Sequence, residues 1–325
     1  MHRDRVTDMS DVIGDDKTEK DHVDTEQIAS EQRTKPRRRK DCIRNWFQAA
    51  WFAVTNGYIN GFKEGRIYTG SSKKVCVPGL NCYSCPGATG ACPIGSLQAV
   101  IDSREFSFSC YIFGFLMAVG ALFGRLICGW MCPFGFVQDM LYKVPLSHKR
   151  KNLPGHKYLK YLKYVVLVLF VLILPQAVVN VSGMGEPWFC EYICPSGTLF
   201  GGIPLVIANS GLRSAAAWKF AWKVILLIII IVLSMFIYRP FCKYLCPLGA
   251  IYSVFNPVSF YRFKVDESAC IKCGACQRSC GMDIKVWENP NSLECIRCGK
   301  CKSACPQGAI TSTFDRIGAK TRKLK

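Results

Sequence analysis

The sequence predicts an all-α helical membrane module of about four spans, in two similar halves, followed by a small α+β domain organised around cysteines. Three observations carry this prediction. Long apolar runs are confined to the middle of the chain, Cys-Pro elements recur on either side of those runs, and eight cysteines stand at a repeated spacing near the C-terminus.

Residues 1–40 hold ten acids and ten bases and no run able to build a core, which is the composition of a disordered polar tail. No apolar stretch or small-residue cleavage site follows a short basic start, so they do not read as a signal peptide. The net charge of +19 on 325 residues therefore arises from residues 41–325. A basic surplus points to nucleic acid, an anionic membrane surface or acidic partners. Here the bases flank the apolar runs, which selects the lipid bilayer and argues against nucleic acid.

A span needs about 20 mostly apolar residues. YLKYVVLVLFVLILPQAVVNV (161–181) meets this, with Pro175 expected to kink the helix. Residues 215–238 meet it as well, with Trp218 and Trp222 placed like an interfacial belt. Residues 106–128 are less apolar but uncharged until Arg125, and residues 43–62 are diluted by Asn45, Gln48, Asn56 and Asn60. Core helices of a large soluble protein are the alternative. The run from Val224 to Ile237 is too apolar for a half-exposed helix of that kind.

Bases set the orientation. KPRRRKDCIR precedes the first run, residues 142–163 hold seven bases and no acid, and Arg239 and Lys243 follow the fourth run. The intervening segments are poorer: 63–105 has five bases against three acids, and 182–217 has only Arg213. Positive-inside bias then places both termini and the C-terminal domain in the cytoplasm, on a multi-pass protein of the inner membrane. Lys219 and Lys223 fall near the outer end of the fourth run and are expected to snorkel or to face protein. The basic loop 142–163 suits anionic lipid or the docking of an acidic redox protein, and His148 and His156 within it are expected to be solvated.

The C-terminal segment repeats C-x2-C-x2-C-x3-C twice: Cys270, Cys273, Cys276, Cys280, then Cys295, Cys298, Cys301, Cys305, with Pro306 after the last. This is the run of a bacterial-type 2×(4Fe-4S) ferredoxin domain, in which three close cysteines hold one cluster and the distant fourth serves the other. A short loop wraps three corners of a cubane, and the fourth must be reached from elsewhere. Cys270, Cys273, Cys276 and Cys305 are thus expected to hold one cluster, and Cys295, Cys298, Cys301 and Cys280 the other. Zinc sites favour C-x2-C pairs, often with His, but no His follows His156. Disulfides would need an oxidising compartment. Gly281 stands after Cys280 where a proline is usual.

Twelve cysteines remain, and a duplication organises ten of them. RLICGWMCPFGFV (125–137) and RPFCKYLCPLGAI (239–251) align as R-x2-C-x3-C-P-x-G, each directly after an apolar run. Each is preceded across that run by another Cys-Pro element, starting at Cys92 and at Cys194. Paired halves of a membrane protein usually build their site at the shared interface.

CGWMCPFG and CKYLCPLG, joined to the double-cluster tail, resemble the NapH/NosR-type membrane polyferredoxins over roughly residues 43–311. The resemblance implies a membrane module that passes electrons between a membrane or periplasmic partner and cytoplasmic ferredoxin-type clusters. CVPGLNCYSCPGATGACPIG (76–95) resembles the variant with additional outer cysteines.

The pairs also have a reading of their own. A thiolate at membrane depth is costly unless a metal neutralises it, and proline after the second cysteine can open a helix whose amides face an anion. Cys128, Cys132, Cys242 and Cys246 are therefore assigned to one cluster near the cytoplasmic face, with buried structural thiols as the alternative. By the same logic Cys190 and Cys194 could join Cys92 and Cys85 on the outer side. Cys82 competes with Cys85, Cys76 is a further replacement, and disulfides or free thiols are the alternative there. Cys42 and Cys110 have no companions and read as small packing residues. Arg125 and Arg239, at matched positions, would either offset cluster charge or anchor helix ends in headgroups.

The domain expectation is a polar tail (1–40), a membrane module (41–262) and a double-cluster domain (263–325). The leading function is a membrane-bound electron-transfer protein working with a ferredoxin, a flavoprotein or a quinone-linked subunit. A membrane reductase of a metal ion or quinone, and a redox sensor or maturation factor, are the other readings. The sequence carries no Gly-rich phosphate fingerprint and no HExxH motif.

Overall fold

The computed structural model describes residues 35–103, 106–178, 186–209, 211 and 218–315. The expected tail lies outside these up to residue 34, and a helix, α1 (Lys35–Thr55), already begins within its last residues. The helix ends at Thr55 and the chain turns helical again as α2 (Ile59–Glu64), so residues 43–62 do not form one continuous helix. Of the polar residues that dilute this run, Gln48 is used internally. Arg44 and Gln48 are buried, and the Gln48 amide donates to the Gly129 carbonyl at 3.1 Å.

The first half continues with α3 (Pro93–Ser103), α4 (Phe106–Phe123), α5 (Leu126–Trp130) and α6 (Pro133–Tyr142). The second holds α7 (His156–Ala177), α8 (Pro195–Ala208), α9 (Trp218–Phe236), α10 (Pro240–Tyr244) and α11 (Pro247–Phe255). Among the described residues two helices, α7 and α9, are long and apolar enough to cross a membrane, against the four expected. In α7 the helix widens to π geometry over Leu167–Ile173, just ahead of Pro175. Proline has no N–H and its ring crowds the preceding turn, and the wider turn accommodates it. Gln98 donates to the Phe170 carbonyl in this stretch at 3.1 Å. The same device precedes Pro204 in α8, over Thr198–Gly202.

The C-terminal part is α+β. Strand β1 (Phe263–Val265) pairs antiparallel with β2 (Ile310–Ser312), with Phe263 opposite Ser312 and Val265 opposite Ile310. Between them stand two short helices, α12 (Ala275–Arg278) and α13 (Lys300–Ala304). Each opens on a left-handed glycine, Gly274 (φ 72°) or Gly299 (φ 78°), and each glycine follows a left-handed Lys272 or Arg297 by two residues. The cysteine loops thus share one backbone path, strained at matched points.

The described residues from Arg44 onward form one compact unit, with a continuous apolar core that joins Phe134, Phe241 and Tyr252 of the module to Phe263, Ile296 and Ile310 of the tail. Arg297 donates to the carbonyls of Phe123 (2.9 Å) and Asn256 (2.6 Å), so a tail residue caps the end of α4. Asn256 returns bonds to the carbonyls of Ser292 and Cys295 at 2.9 and 2.7 Å. The basic loop packs on this tail instead of standing free: Lys151 donates to the Gln277 carbonyl at 3.1 Å and Asn152 to Asp283 at 2.8 Å. His156 is 3.1 Å from the Tyr244 hydroxyl and half-buried, not solvated. Cys42 and Cys110 are exposed, not packed.

Candidate functional site

Four cysteine-proline junctions build the module's sites in one way. Cys132 and Cys246 occupy the residue before Pro133 and Pro247, at the start of α6 and α11. Their sulfurs accept from the amides of Gly135 and Gly249, both at 3.4 Å. Cys194 accepts from Gly197 at 3.4 Å, and Cys92 precedes Pro93 at the start of α3. All four read C-P-x-G. Proline sits where its missing N–H costs nothing, the glycine amide turns to sulfur, and the helix end favours negative charge. A Cβ on Gly135 would lie 3.2 Å from both the Cys128 carbonyl and Arg239, so the bare glycine admits that contact.

Cys128, Cys132, Cys242 and Cys246 are buried together, each within electrostatic reach of the other three. The halves grip each other here. Arg125, of the first half, donates to the Cys242 carbonyl at 3.2 Å; Arg239, of the second, donates to the Cys128 carbonyl. Both guanidiniums are fully buried, which removes the headgroup-anchor reading and leaves them beside the thiols. Arg239 is also bound by Asp139 (Nε to Oδ1, 2.7 Å), which Arg44 approaches at 3.2 Å. Arg125 reaches Glu294 at 3.0 Å, and Lys163 shares that carboxylate.

The outer group is Cys82, Cys92, Cys190 and Cys194, again all within mutual reach. Cys82, rather than Cys85, completes it. Cys85 turns to Asn56 Oδ1 at 3.6 Å, and Cys76 turns to Ser96 at 3.8 Å. The sequence held an unread signal for this. Cys190 and Cys194 repeat the C-x3-C-P-x-G of the inner pairs, but the position four before Cys92 is Ala88. The missing thiol must come from another stretch, and the loop Pro78–Cys82 supplies it. Lys219 and Lys223 face protein, on Glu191 (2.7 Å) and the Cys190 carbonyl (3.2 Å).

In the tail, Cys280, Cys295, Cys298 and Cys301 lie together, while Cys270, Cys273, Cys276 and Cys305 line a separate pocket. Burial pushes the Cys295 thiol up to about 12, so the unligated side chain is neutral at pH 7 and a bound metal would have to displace its proton. None of the twenty cysteines is in a disulfide. Among the described residues no three ligands converge closely enough to share a single metal ion. A cubane, by contrast, spreads four thiolates over its corners, so the donor sets fit a 4Fe-4S group. Sequence reasoning missed Gln138, which donates to the Cys242 sulfur at 3.1 Å, as well as Asn256 and Glu294.

Thiol sets of this kind on a mostly helical frame define an iron–sulfur protein that binds 4Fe-4S clusters. A 4Fe-4S binding domain family matches residues 107–154, 167–205, 220–265 and 301–325, and a second family with that description matches 290–311. An uncharacterised protein of Methanocaldococcus jannaschii is 34% identical over 201 residues, covering 62% of this chain and 68% of that one. The methylamine utilization ferredoxin-type protein MauN of Methylobacillus flagellatus is 26% identical, over 58% of this chain and 60% of its own. The ferredoxin-type protein NapH of Haemophilus influenzae is 29% identical, over 48% and 47%. The chain belongs to the NapH/MauN-type polyferredoxin family. No solved structure matches it.

Proposed function

We propose that the chain is a membrane-bound electron conduit joining a redox partner in or beyond the membrane to a cytoplasmic ferredoxin, flavoprotein or quinone-linked subunit. The sixteen thiols would hold four clusters, two in residues 263–325 and two in the module of residues 41–262. A 4Fe-4S cluster, when bound, takes up and gives back electrons one at a time. The observation that carries the reading is a pair of close backbone approaches that link three of the four sets. Gly79, three residues before Cys82, packs on Cys132: a Cβ there would lie 3.1 Å from Cys132 Cα. Gly129, next to Cys128, packs on Ile296 and Cys298 with no room for a side chain. The loop that leads to Cys82 thus packs directly on the inner thiol Cys132, and the segment beside Cys128 packs directly on the Ile296–Cys298 loop of the tail.

Membrane placement is supported by apolar faces turned outward on four helices, including Trp46 and Val54 on α1, Phe113 and Leu122 on α4, Val165 and Leu172 on α7, and Ile228 and Val232 on α9. Exposed apolar area of this extent suits lipid. We read both termini as cytoplasmic from the bases that flank these helices.

The test is iron and transmembrane flux together. Anaerobically purified protein should carry sixteen irons if all four sets are loaded, and Cys273→Ala should remove one cluster's share. Sealed vesicles containing the protein should reduce an acceptor trapped on the far side, and Cys82→Ser should abolish that flux while the tail stays loaded. Full iron with no flux in the wild type would exclude a conduit.

A further inference from the structure

A cavity of about 760 Å³ opens beside the outer thiols. Cys82, Cys92, Cys190 and Cys194 form part of its wall, and Lys73, Lys74 and Lys223 stand elsewhere on it. Small-molecule sites occupy roughly 300–1,000 Å³, and a cubane at the thiol wall leaves most of this space over. No carboxylate lines it among the described residues.

Lys73 shows what the remaining space is suited to. It is only 4% exposed. Its ammonium has no hydrogen-bond acceptor among the described residues and sits over the face of Tyr83, 4.6 Å from the ring centre. A buried ammonium carries three donors and is costly when none is used. Lys223 spends one donor on the Cys190 carbonyl and keeps others. The rest of the wall includes Leu80, Pro187 and Leu205, which suit an apolar body.

We propose that this cavity binds a small organic carboxylate, its anionic oxygen accepting from Lys73 and its apolar part lying against Leu80, Pro187 and Leu205. A single negative charge matches the one buried ammonium on this wall that lacks an acceptor among the described residues, and the largely apolar remainder disfavours a bare inorganic anion. The inference rests on the conduit reading only in placing a cluster at the cavity's thiol wall. Lys73 acts here as a binding residue that holds the ligand within reach of Cys82 and Cys194.

The experiment uses the full chain, purified anaerobically in detergent, with 1-naphthoate as the probe and 1-naphthamide as its neutral control. Calorimetry should give saturable binding of naphthoate, at least tenfold tighter than the amide. Lys73→Met should weaken naphthoate at least tenfold with iron per protein unchanged. Ala99→Phe, which fills the cavity from another side, should do the same and serves if the Lys73 variant fails to fold. Absence of saturable binding, equal binding of the amide, or full affinity in both variants overturns the proposal. Cys82→Ser separates the two readings: unchanged iron there defeats the outer cluster, whereas lost iron with retained naphthoate binding supports both the cluster and the anion site.

Discussion

Gln138 lies in the first half, yet its amide donates to the sulfur of Cys242 in the second. A donor to a cluster sulfur favours the more negative, reduced form, so such bonds raise the reduction potential. If the inner thiols hold the proposed cluster, Gln138→Leu should therefore lower its potential without loss of iron. A redox titration followed by electron paramagnetic resonance would read this, and an unmoved potential would remove Gln138 from any tuning role. Its neighbour Asp139 has a different task. Burial opposes its charge, but the Arg239 guanidinium beside it outweighs that and holds the carboxyl down to about 2. The unfolded chain binds this proton near pH 3.9. The stabilisation is thus complete above about pH 4 and is lost as pH falls through about 2. Asp139→Asn strands Arg239 and should cost about 3–5 kcal/mol at neutral pH. The gap from wild type should narrow across that acid window. A gap that stays constant on acid titration would mean that the ion pair is not what was lost.

At the scale of elements, the tail's cysteine sets were legible because a C-x2-C-x2-C loop encodes its own shape over a few residues. The inner set was legible because duplication repeats Arg125–Gly135 as Arg239–Gly249. The outer set was only half legible: Ala88 breaks the C-x3-C spacing, and Cys82 enters through a loop whose path no local spacing records. The partners of the two arginines were not legible at all, since Arg125 meets Cys242 and Glu294 across more than a hundred residues. The run over residues 43–62, which the structure divides between α1 and α2, was only partly legible for a related reason. Gln48 spends its amide on the Gly129 carbonyl of another element, and such a contact is invisible in a window. The seam between α5 and the tail gives a test. A methyl on Gly129 would overlap the Ile296 carbonyl oxygen, and this is backbone that cannot simply swing aside. Gly129→Ala should cost about 1–3 kcal/mol and loosen the tail. Hydrogen exchange should rise across residues 292–298 and leave β1 and β2 protected. Unchanged exchange at the seam would show that the contact is not tight in solution.

For the whole molecule, the crossed arginine contacts make a specific demand: the halves must act as one site. If Cys128, Cys132, Cys242 and Cys246 share a cluster, Cys128→Ser and Cys242→Ser remove the same object from opposite sides. Each should lose one cluster's share of iron, and the double variant should be little worse than either single, because residues that work as a unit are not additive. The tail should keep both of its clusters, since its ligands come from its own two loops. Electrons supplied to the tail should then reduce it normally and fail to cross a sealed vesicle. Independent centres, one in each half, would behave differently, with two partial iron losses that add and a residual flux in each single variant. Iron per protein and trapped-acceptor reduction, measured on the same preparations, separate these cases. Full iron and full flux in both single variants would leave the inner cysteines as buried structural thiols, and the two arginines would then be holding the halves together without a centre between them.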